Sequence, residues 1–134
     1  MIWAAAQGQY QRQLKKYDAV VSSLALHHLE TKADKLEFYK KIHSSLNDGG
    51  IFINADVVLA SSDIFQELYM EQWKSFMCKN IPKDEVNNNW IPTYYEQDRP
   101  VSLMDHFEML KAAGFKEMDL VWKYYNFAVY MAVK

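Results

Sequence analysis

The sequence contains little cysteine, glycine or proline. Among its 134 residues there are one cysteine, four glycines and three prolines. The lone Cys78 excludes an internal disulfide and is typical of proteins that fold in a reducing compartment. Because the chain has neither an internal repeat nor a linker rich in proline or glycine, it is predicted to form a single domain over residues 1–134.

The sequence also lacks a basic run and a long apolar run. Its 15 Lys and Arg are balanced by 17 Asp and Glu, so the net charge is −2. This balance argues against nucleic acid as a partner. No apolar run approaches the roughly 18 residues that a membrane span needs. The opening MIWAAAQGQYQRQ is too short and too polar for a signal peptide, so we expect a cytoplasmic protein.

The first part of the chain has the pattern of a strand, a helix and a second strand. Apolar residues predict a buried strand over 17–24, and apolar positions recur at helical spacing over 31–46, after a predicted N-cap at Thr31. Asn47-Asp48-Gly49-Gly50 is predicted to end this helix before a strand over 51–59. The two strands should therefore be parallel, with a right-handed crossover.

The second part ends differently. The predicted elements are a helix over 62–79, a polar segment over 80–101, a helix over 103–113 capped by Ser102, and strands over 115–123 and 126–133. Only Tyr124-Tyr125 separates the last two strands, which predicts an antiparallel hairpin. Asp98-Arg99-Pro100 is interpreted as the turn that enters the last helix. A parallel opening followed by an antiparallel hairpin argues against a nicotinamide-dependent oxidoreductase.

Four stretches together resemble the class I S-adenosylmethionine-dependent methyltransferases. They are YDAVVSSLALHHL, LNDGGIFINADVV, LKAAGF and WKYYNFAVY. The resemblance covers about residues 8–134. It implies an α/β fold, with a partial Rossmann-like sheet that contains the family's strands 4-5-7-6 in that order, strand 7 antiparallel, and helices on both faces. Residues 80–101 would then be the insertion on the acceptor side.

Two features of that family are not found in the sequence. These are the glycine-rich loop that approaches the cofactor and the acidic residue that binds its ribose; the four glycines form no such loop. The resemblance therefore implies a truncated methyltransferase domain, with residues 1–16 as a remnant of the upstream half. S-adenosyl-L-methionine is the implied cofactor, and we expect this chain alone to bind it poorly.

The resemblance also implies which residues contact the cofactor. The end of the first strand, Ser22, Ser23, Leu24 and Ala25, would touch its methionine portion. Gln9 stands where the family often has an aspartate that binds the adenine amino group.

Two histidines follow that strand end directly. His27 and His28 would lie where methyl donor and acceptor meet, and an imidazole is suited to act as general base near neutral pH. The alternative is a structural histidine whose ring nitrogen binds the backbone. No metal site is predicted, because the histidines lack i, i+4 spacing and no Cys/His cluster accompanies them.

The remaining candidates lie on the second strand and after it. Asp56 is a catalytic candidate that would orient an acceptor amine or hydroxyl; the alternative is a cap for the next helix. Asn54 is predicted to bind substrate, and so are Tyr69, Trp73 and Tyr95 in the region that covers the acceptor in relatives. The alternative for Tyr69 and Trp73 is a helix face packed on the core.

These observations favour a methyltransferase acting on a small-molecule acceptor, although this chain alone is expected to be inactive. The alternative is a non-catalytic half-domain. In that case the strand over 17–24 would be an exposed apolar sheet edge that pairs with a second copy or with a partner chain.

Overall fold

The computed structural model describes residues 15–134. The strands are β1 (Tyr17–Ser23), β2 (Leu46–Val57), β3 (Glu117–Tyr124) and β4 (Phe127–Val133). The helices are α1 (Lys32–Ser45), α2 (Asp63–Met77), α3 (Lys83–Glu85), α4 (Ile91–Gln97) and α5 (Leu103–Ala112). A single 3₁₀ turn spans Leu26–His28, and a π turn spans Val86–Trp90. The predictions for residues 1–14, Gln9 included, lie outside the described residues.

The four strands form one sheet in the order β1-β2-β4-β3. β1 and β2 are parallel, whereas β4 is antiparallel to both β2 and β3. This is the predicted order 4-5-7-6 with an antiparallel strand 7, so the expected α/β topology is confirmed.

The main helices begin where the sequence predicts. Thr31 and Asp34 form a reciprocal capping box at α1, and Ser102 and Asp105 form one at α5. Ser62 caps α2 with a longer contact, 3.5 Å from the backbone N–H of Phe65 to Oγ. Each side chain satisfies a backbone donor that has no partner inside its own helix.

The structure corrects the start of the second strand. β2 begins at Leu46, not residue 51, and Asn47-Asp48-Gly49-Gly50 forms a bulge within it, since Tyr17 pairs with Leu46 and Ala19 with Ile51. Gly49 has φ +75°, and a Cβ on Gly50 would lie 2.8 Å from the Asn47 carbonyl oxygen. The glycines therefore shape a strand bulge rather than the C′ position of the helix.

The closing hairpin is shifted by one residue from the prediction. Its two-residue turn is Tyr125-Asn126, and Tyr125 has φ +50°. The Lys123 ammonium donates to the Tyr125 carbonyl at 2.6 Å, and the Val58 N–H donates to the Asn126 carbonyl at 2.8 Å. These contacts hold Tyr125 in a backbone conformation that residues other than glycine rarely adopt.

The buried residues form two clusters. The sheet cluster lies between the sheet and helices α1 and α5; its aromatic members are Tyr39, Phe52, Phe115 and Tyr130. The helix cluster lies around α2 and α4 and consists of Val57, Met70, Met77, Val86, Ile91 and Tyr94.

β1 is less buried than its apolar sequence predicts. Only Val20 and Ser22 are even partly buried, and Val21 is 65% exposed. Among the described residues β1 pairs with β2 alone, so one of its edges has no neighbouring strand. Its exposure thus follows from its place at the edge of the sheet.

Candidate functional site

The candidate site lies where the parallel strands β1 and β2 end side by side. Directly after β1, Leu24 has φ +49°, and its N–H donates to the Ala55 carbonyl of β2 at 2.8 Å. This sharp turn leads into the 3₁₀ turn that carries His27 and His28. Ligands of open α/β sheets bind at the carboxyl ends of parallel strands, so the polar residues gathered here are the natural candidates.

His27 is held by Asp56 through two hydrogen bonds. The His27 backbone N–H donates to Oδ2 at 3.1 Å, and Nδ1 of the ring lies 2.5 Å from Oδ1. The side chains are 7% and 0% exposed, respectively. An ionised carboxylate only accepts hydrogen bonds, so Nδ1 carries the proton and Nε2 keeps its lone pair. The arrangement orients the imidazole as a general base requires.

Opposing effects act on the pKa of the His27 imidazole. Burial lowers it, while the hydrogen bond to Asp56 and the charges of Asp56 and Asp98 raise it, and the outcome is a pKa above the ordinary value. The nearby Lys35 opposes the rise weakly. The carboxylates therefore more than offset the cost of burying the imidazolium.

Asp98, which the sequence analysis interpreted as part of a turn, lies beside the two histidines. Its Oδ1 lies 3.2 Å from His28 Nδ1 and 3.7 Å from His27 Nε2. A backbone hydrogen bond of 2.7 Å from the Arg99 N–H to the His27 carbonyl brings the two segments together. The sequence argument against a metal site rested on the missing i, i+4 spacing and the lack of a Cys/His cluster, and it did not consider a carboxylate from a distant segment such as Asp98.

A chain of buried hydrogen bonds continues from Asp56 into the sheet cluster. The Asn54 amide donates to Asp56 Oδ2 at 3.4 Å and to the Tyr130 hydroxyl at 2.8 Å. That hydroxyl lies 2.7 Å from the hydroxyl of Tyr39, which lies 2.6 Å from His106 Nδ1. Burial lowers the pKa of His106 to about 4, so its ring is neutral near pH 7. The chain thus links Asp56 to the buried ring of His106 through one amide and two hydroxyls.

The predicted site residues on β1 and β2 are brought together. Ser23, Leu24 and Ala25 are exposed and Ser22 is partly buried, at the strand end beside His27. Asn54 is fully buried below the site, and Asp56 contacts His27. The role of Ser22 to Ala25 in cofactor binding and that of Asn54 in substrate binding stay predictions.

The three aromatic candidates have separate environments. The Lys123 ammonium donates to the Tyr69 hydroxyl at 2.5 Å, and Trp73 packs against Tyr94 with ring centroids 5.2 Å apart. Trp73 packs against the helix cluster, whereas Tyr69 is partly buried and contacts Lys123 and Tyr125. Tyr95 lines an open pocket of about 430 Å³ beside α2. A substrate-binding role for each of the three stays a prediction.

No family model matches the chain. It is 28% identical over 102 residues to the carboxy-S-adenosyl-L-methionine synthase of Methylococcus capsulatus, covering 71% of this chain and 39% of the relative. With the enzyme of the same name from Nautilia profundicola it shares 31% identity over 111 residues, 77% of this chain and 43% of the relative.

A solved structure settles the fold. The human N-acetylserotonin methyltransferase in complex with S-adenosylmethionine superimposes with a TM-score of 0.58 at 12% identity, over 92% of this chain and 31% of that one. The fold is that of the class I S-adenosylmethionine-dependent methyltransferases. The resemblance predicted from the four motifs is thereby confirmed.

The methyltransferase-like chain spans half or less of the length of these two curated relatives. Within its described part, no helix combines the length and the apolar character that crossing a membrane requires.

Proposed function

We propose that this chain forms the acceptor side of an S-adenosylmethionine-dependent transfer site, with His27 as general base and Asp56 as the group that orients it. The observation that carries the proposal is the buried contact of 2.5 Å between His27 Nδ1 and Asp56 Oδ1, at the carboxyl ends of two parallel strands. A dyad of this kind leaves Nε2 free to take a proton.

In this mechanism the acceptor is a small molecule whose hydroxyl or amine loses a proton as it reacts. His27 Nε2 accepts that proton, and the carboxylate of Asp56 stabilises the imidazolium that forms. The exposed strand end at Ser23 to Ala25 is the surface on which the cofactor would bind. When bound, S-adenosylmethionine supplies a methyl group that needs no further activation, so alignment of the acceptor provides much of the rate.

The first test is calorimetric titration of S-adenosylmethionine and S-adenosylhomocysteine into the purified chain. Micromolar binding supports a cofactor site built on this chain. Absence of binding up to millimolar concentration would refute cofactor binding by the isolated chain, which lacks the family's glycine-rich loop.

Where transfer is measurable, variants test the base. We expect His27→Ala to lower kcat by roughly 10²- to 10⁴-fold, the usual contribution of a general base, with cofactor affinity unchanged. His43→Asn is the matched control, because His43 packs against Phe115 rather than near the site. Equal losses in both variants would contradict a base role for His27.

The names of the curated relatives favour a second candidate, formation of carboxy-S-adenosylmethionine. The mass of the product separates the two: a methylated acceptor for the first, and a carboxylated cofactor for the second.

The exposed β1 edge favours a third candidate, an interaction module that pairs with a second copy of the chain. If so, sedimentation should show a dimer that Val21→Lys dissociates. Val121→Lys on β3, at a site 58% exposed, should leave the dimer intact. A monomer at all concentrations would contradict this candidate.

A further inference from the structure

Three side chains beside the proposed base have the geometry of a metal site. His27, His28 and Asp98 each offer one ligand atom, and the three atoms lie within 4.8 Å of one another. Asp98 Oδ1 is 3.2 Å from one ring nitrogen and 3.7 Å from the other. In a tetrahedral zinc site with bonds of about 2.0–2.1 Å, neighbouring ligand atoms lie about 3.3 Å apart. The two distances from Asp98 are near this value, and the two histidine nitrogens lie within 4.8 Å of each other.

The backbone holds these ligands together without help from an ion. The Arg99 N–H donates to the His27 carbonyl at 2.7 Å, and Arg99 Nε lies 3.3 Å from Glu30 Oε1. Asp98 is therefore fixed beside histidines some 70 positions earlier in the chain by contacts that do not involve its own carboxylate. Such preorganisation reduces the conformational entropy that metal binding would otherwise cost.

The environment of His27 is that of a metal-binding histidine. In the neutral ring Nδ1 donates to the buried carboxylate of Asp56, and the lone pair of Nε2 faces Asp98 at 3.7 Å. Histidines that bind metal ions commonly donate their other ring N–H to a carboxylate, and this partner fixes both tautomer and ring orientation. The neighbouring His28 is 56% exposed, so water can reach the centre of the cluster.

We propose that His27 Nε2, His28 Nδ1 and Asp98 bind one divalent transition-metal ion of the zinc or cobalt class. Two imidazole nitrogens and one carboxylate suit these ions, and three protein ligands leave a position open to water. The proposed metal site is independent of the proposed function, because the ion binds and is measured without cofactor or acceptor. A metal ion and a proton compete for the lone pair of Nε2, so the bound ion would block base catalysis by His27.

The test uses the untagged 134-residue chain with zinc chloride in a calorimeter and with cobalt chloride in an absorption spectrometer. We expect binding of one ion per chain, and visible bands of Co²⁺ with nitrogen and oxygen ligands. His28→Ala and Asp98→Asn each remove a ligand, and we expect each to weaken binding at least about tenfold. Asp56→Asn removes no ligand but takes the negative charge from the partner of His27 Nδ1, and it should weaken binding about 10- to 100-fold.

The histidines that lie outside the cluster provide matched controls. His43 and His106 are the two outside the cluster, and His43→Asn should leave metal affinity unchanged. Circular dichroism melts check that each variant is folded; His28→Ala, at an exposed position, is the variant least able to disturb folding. Absence of stoichiometric binding by the wild-type chain would overturn the proposal. So would unchanged affinity in folded His28→Ala and Asp98→Asn variants.

Discussion

The sheet cluster and the helix cluster are both well buried, but they are built from different chemistry. The sheet cluster encloses a hydrogen-bonded chain of five polar side chains, Asp56, Asn54, Tyr130, Tyr39 and His106. The helix cluster consists of apolar residues and Tyr94, and Tyr94 contributes a packed ring. A buried polar chain is costly unless each member is paired, so its geometry is tightly specified. An apolar cluster specifies volume more than orientation.

This contrast suggests why the candidate site adjoins the sheet cluster. Asp56 belongs both to the polar chain and to the contact with His27. The orientation of the imidazole is thus tied to hydroxyls buried in the interior. One acceptor in this chain, Asn54 Oδ1, has no hydrogen-bond partner among the described residues. That unpaired oxygen is a cost that the remaining bonds must offset.

The largest expected effect is that of acid, which should destabilise the sheet cluster more than the helix cluster. Burial lowers the pKa of His106 to about 4, despite the opposing charges of Asp56 and Asp105. The unfolded chain, with an imidazole pKa near 6.5, binds more protons between these two values. The free energy of unfolding should therefore fall as pH decreases from about 6.5 to about 4, by up to about 3 kcal/mol. Above pH 6.5 the titration of His106 no longer makes the free energy of unfolding depend on pH.

Urea denaturation at pH 7 and pH 4.5 measures the effect. His106→Asn keeps an acceptor near the Nδ1 position but does not titrate, so the loss between the two pH values should be smaller in the variant. Equal losses in both proteins would show that carboxyl groups, and not His106, account for the acid sensitivity.

The next largest difference between the two clusters should be the loss of stability when one buried tyrosine hydroxyl is removed from each. Tyr39→Phe removes the hydroxyl that bonds to both His106 Nδ1 and the Tyr130 hydroxyl, which should cost about 2 kcal/mol. Tyr94 is also buried, and burial raises the pKa of its hydroxyl to about 12. Its hydroxyl has no hydrogen bond in the described structure, so Tyr94→Phe should change stability by less than about 0.5 kcal/mol.

Denaturation midpoints of the two variants under one set of conditions give this comparison directly. A larger cost for Tyr94→Phe than for Tyr39→Phe would refute the claim that the polar chain sets the stability of the sheet cluster.

Local features of the fold were predictable from the sequence, and the polar chain was not. The capping boxes join residues three positions apart, so Thr31 and Ser102 mark the starts of α1 and α5 in the sequence itself. The pair of His27 and Asp56 spans 29 positions, and that of Tyr39 and Tyr130 spans 91. No periodicity encodes such contacts, because they depend on strand order and register. The family resemblance supplied the order, which placed Asp56 near the histidines.

The contact of Asp98 with the two histidines was also not predictable from the sequence. The sequence around it indicates a turn, and the structure does place it at the end of α4. It lies beside His27 and His28 where the Arg99 N–H donates to the His27 carbonyl, a contact between segments about 70 positions apart. A bond between distant backbone groups leaves no trace in the identity of the side chains, so the third member of the cluster could not be inferred.

Helix caps give the finest comparison between the two clusters. Thr31→Ala removes a capping box whose backbone N–H to Oγ1 distance is 3.1 Å, at the start of α1 in the sheet cluster. Ser62→Ala removes a single bond of 3.5 Å at the start of α2 in the helix cluster. We expect a loss of about 1 kcal/mol for the first and less than half of that for the second. Thermal melts of both variants measure the difference. Equal losses would mean that the long Ser62 contact stabilises α2 as well as a full capping box stabilises α1, and the contrast between the clusters would then be confined to their buried polar groups.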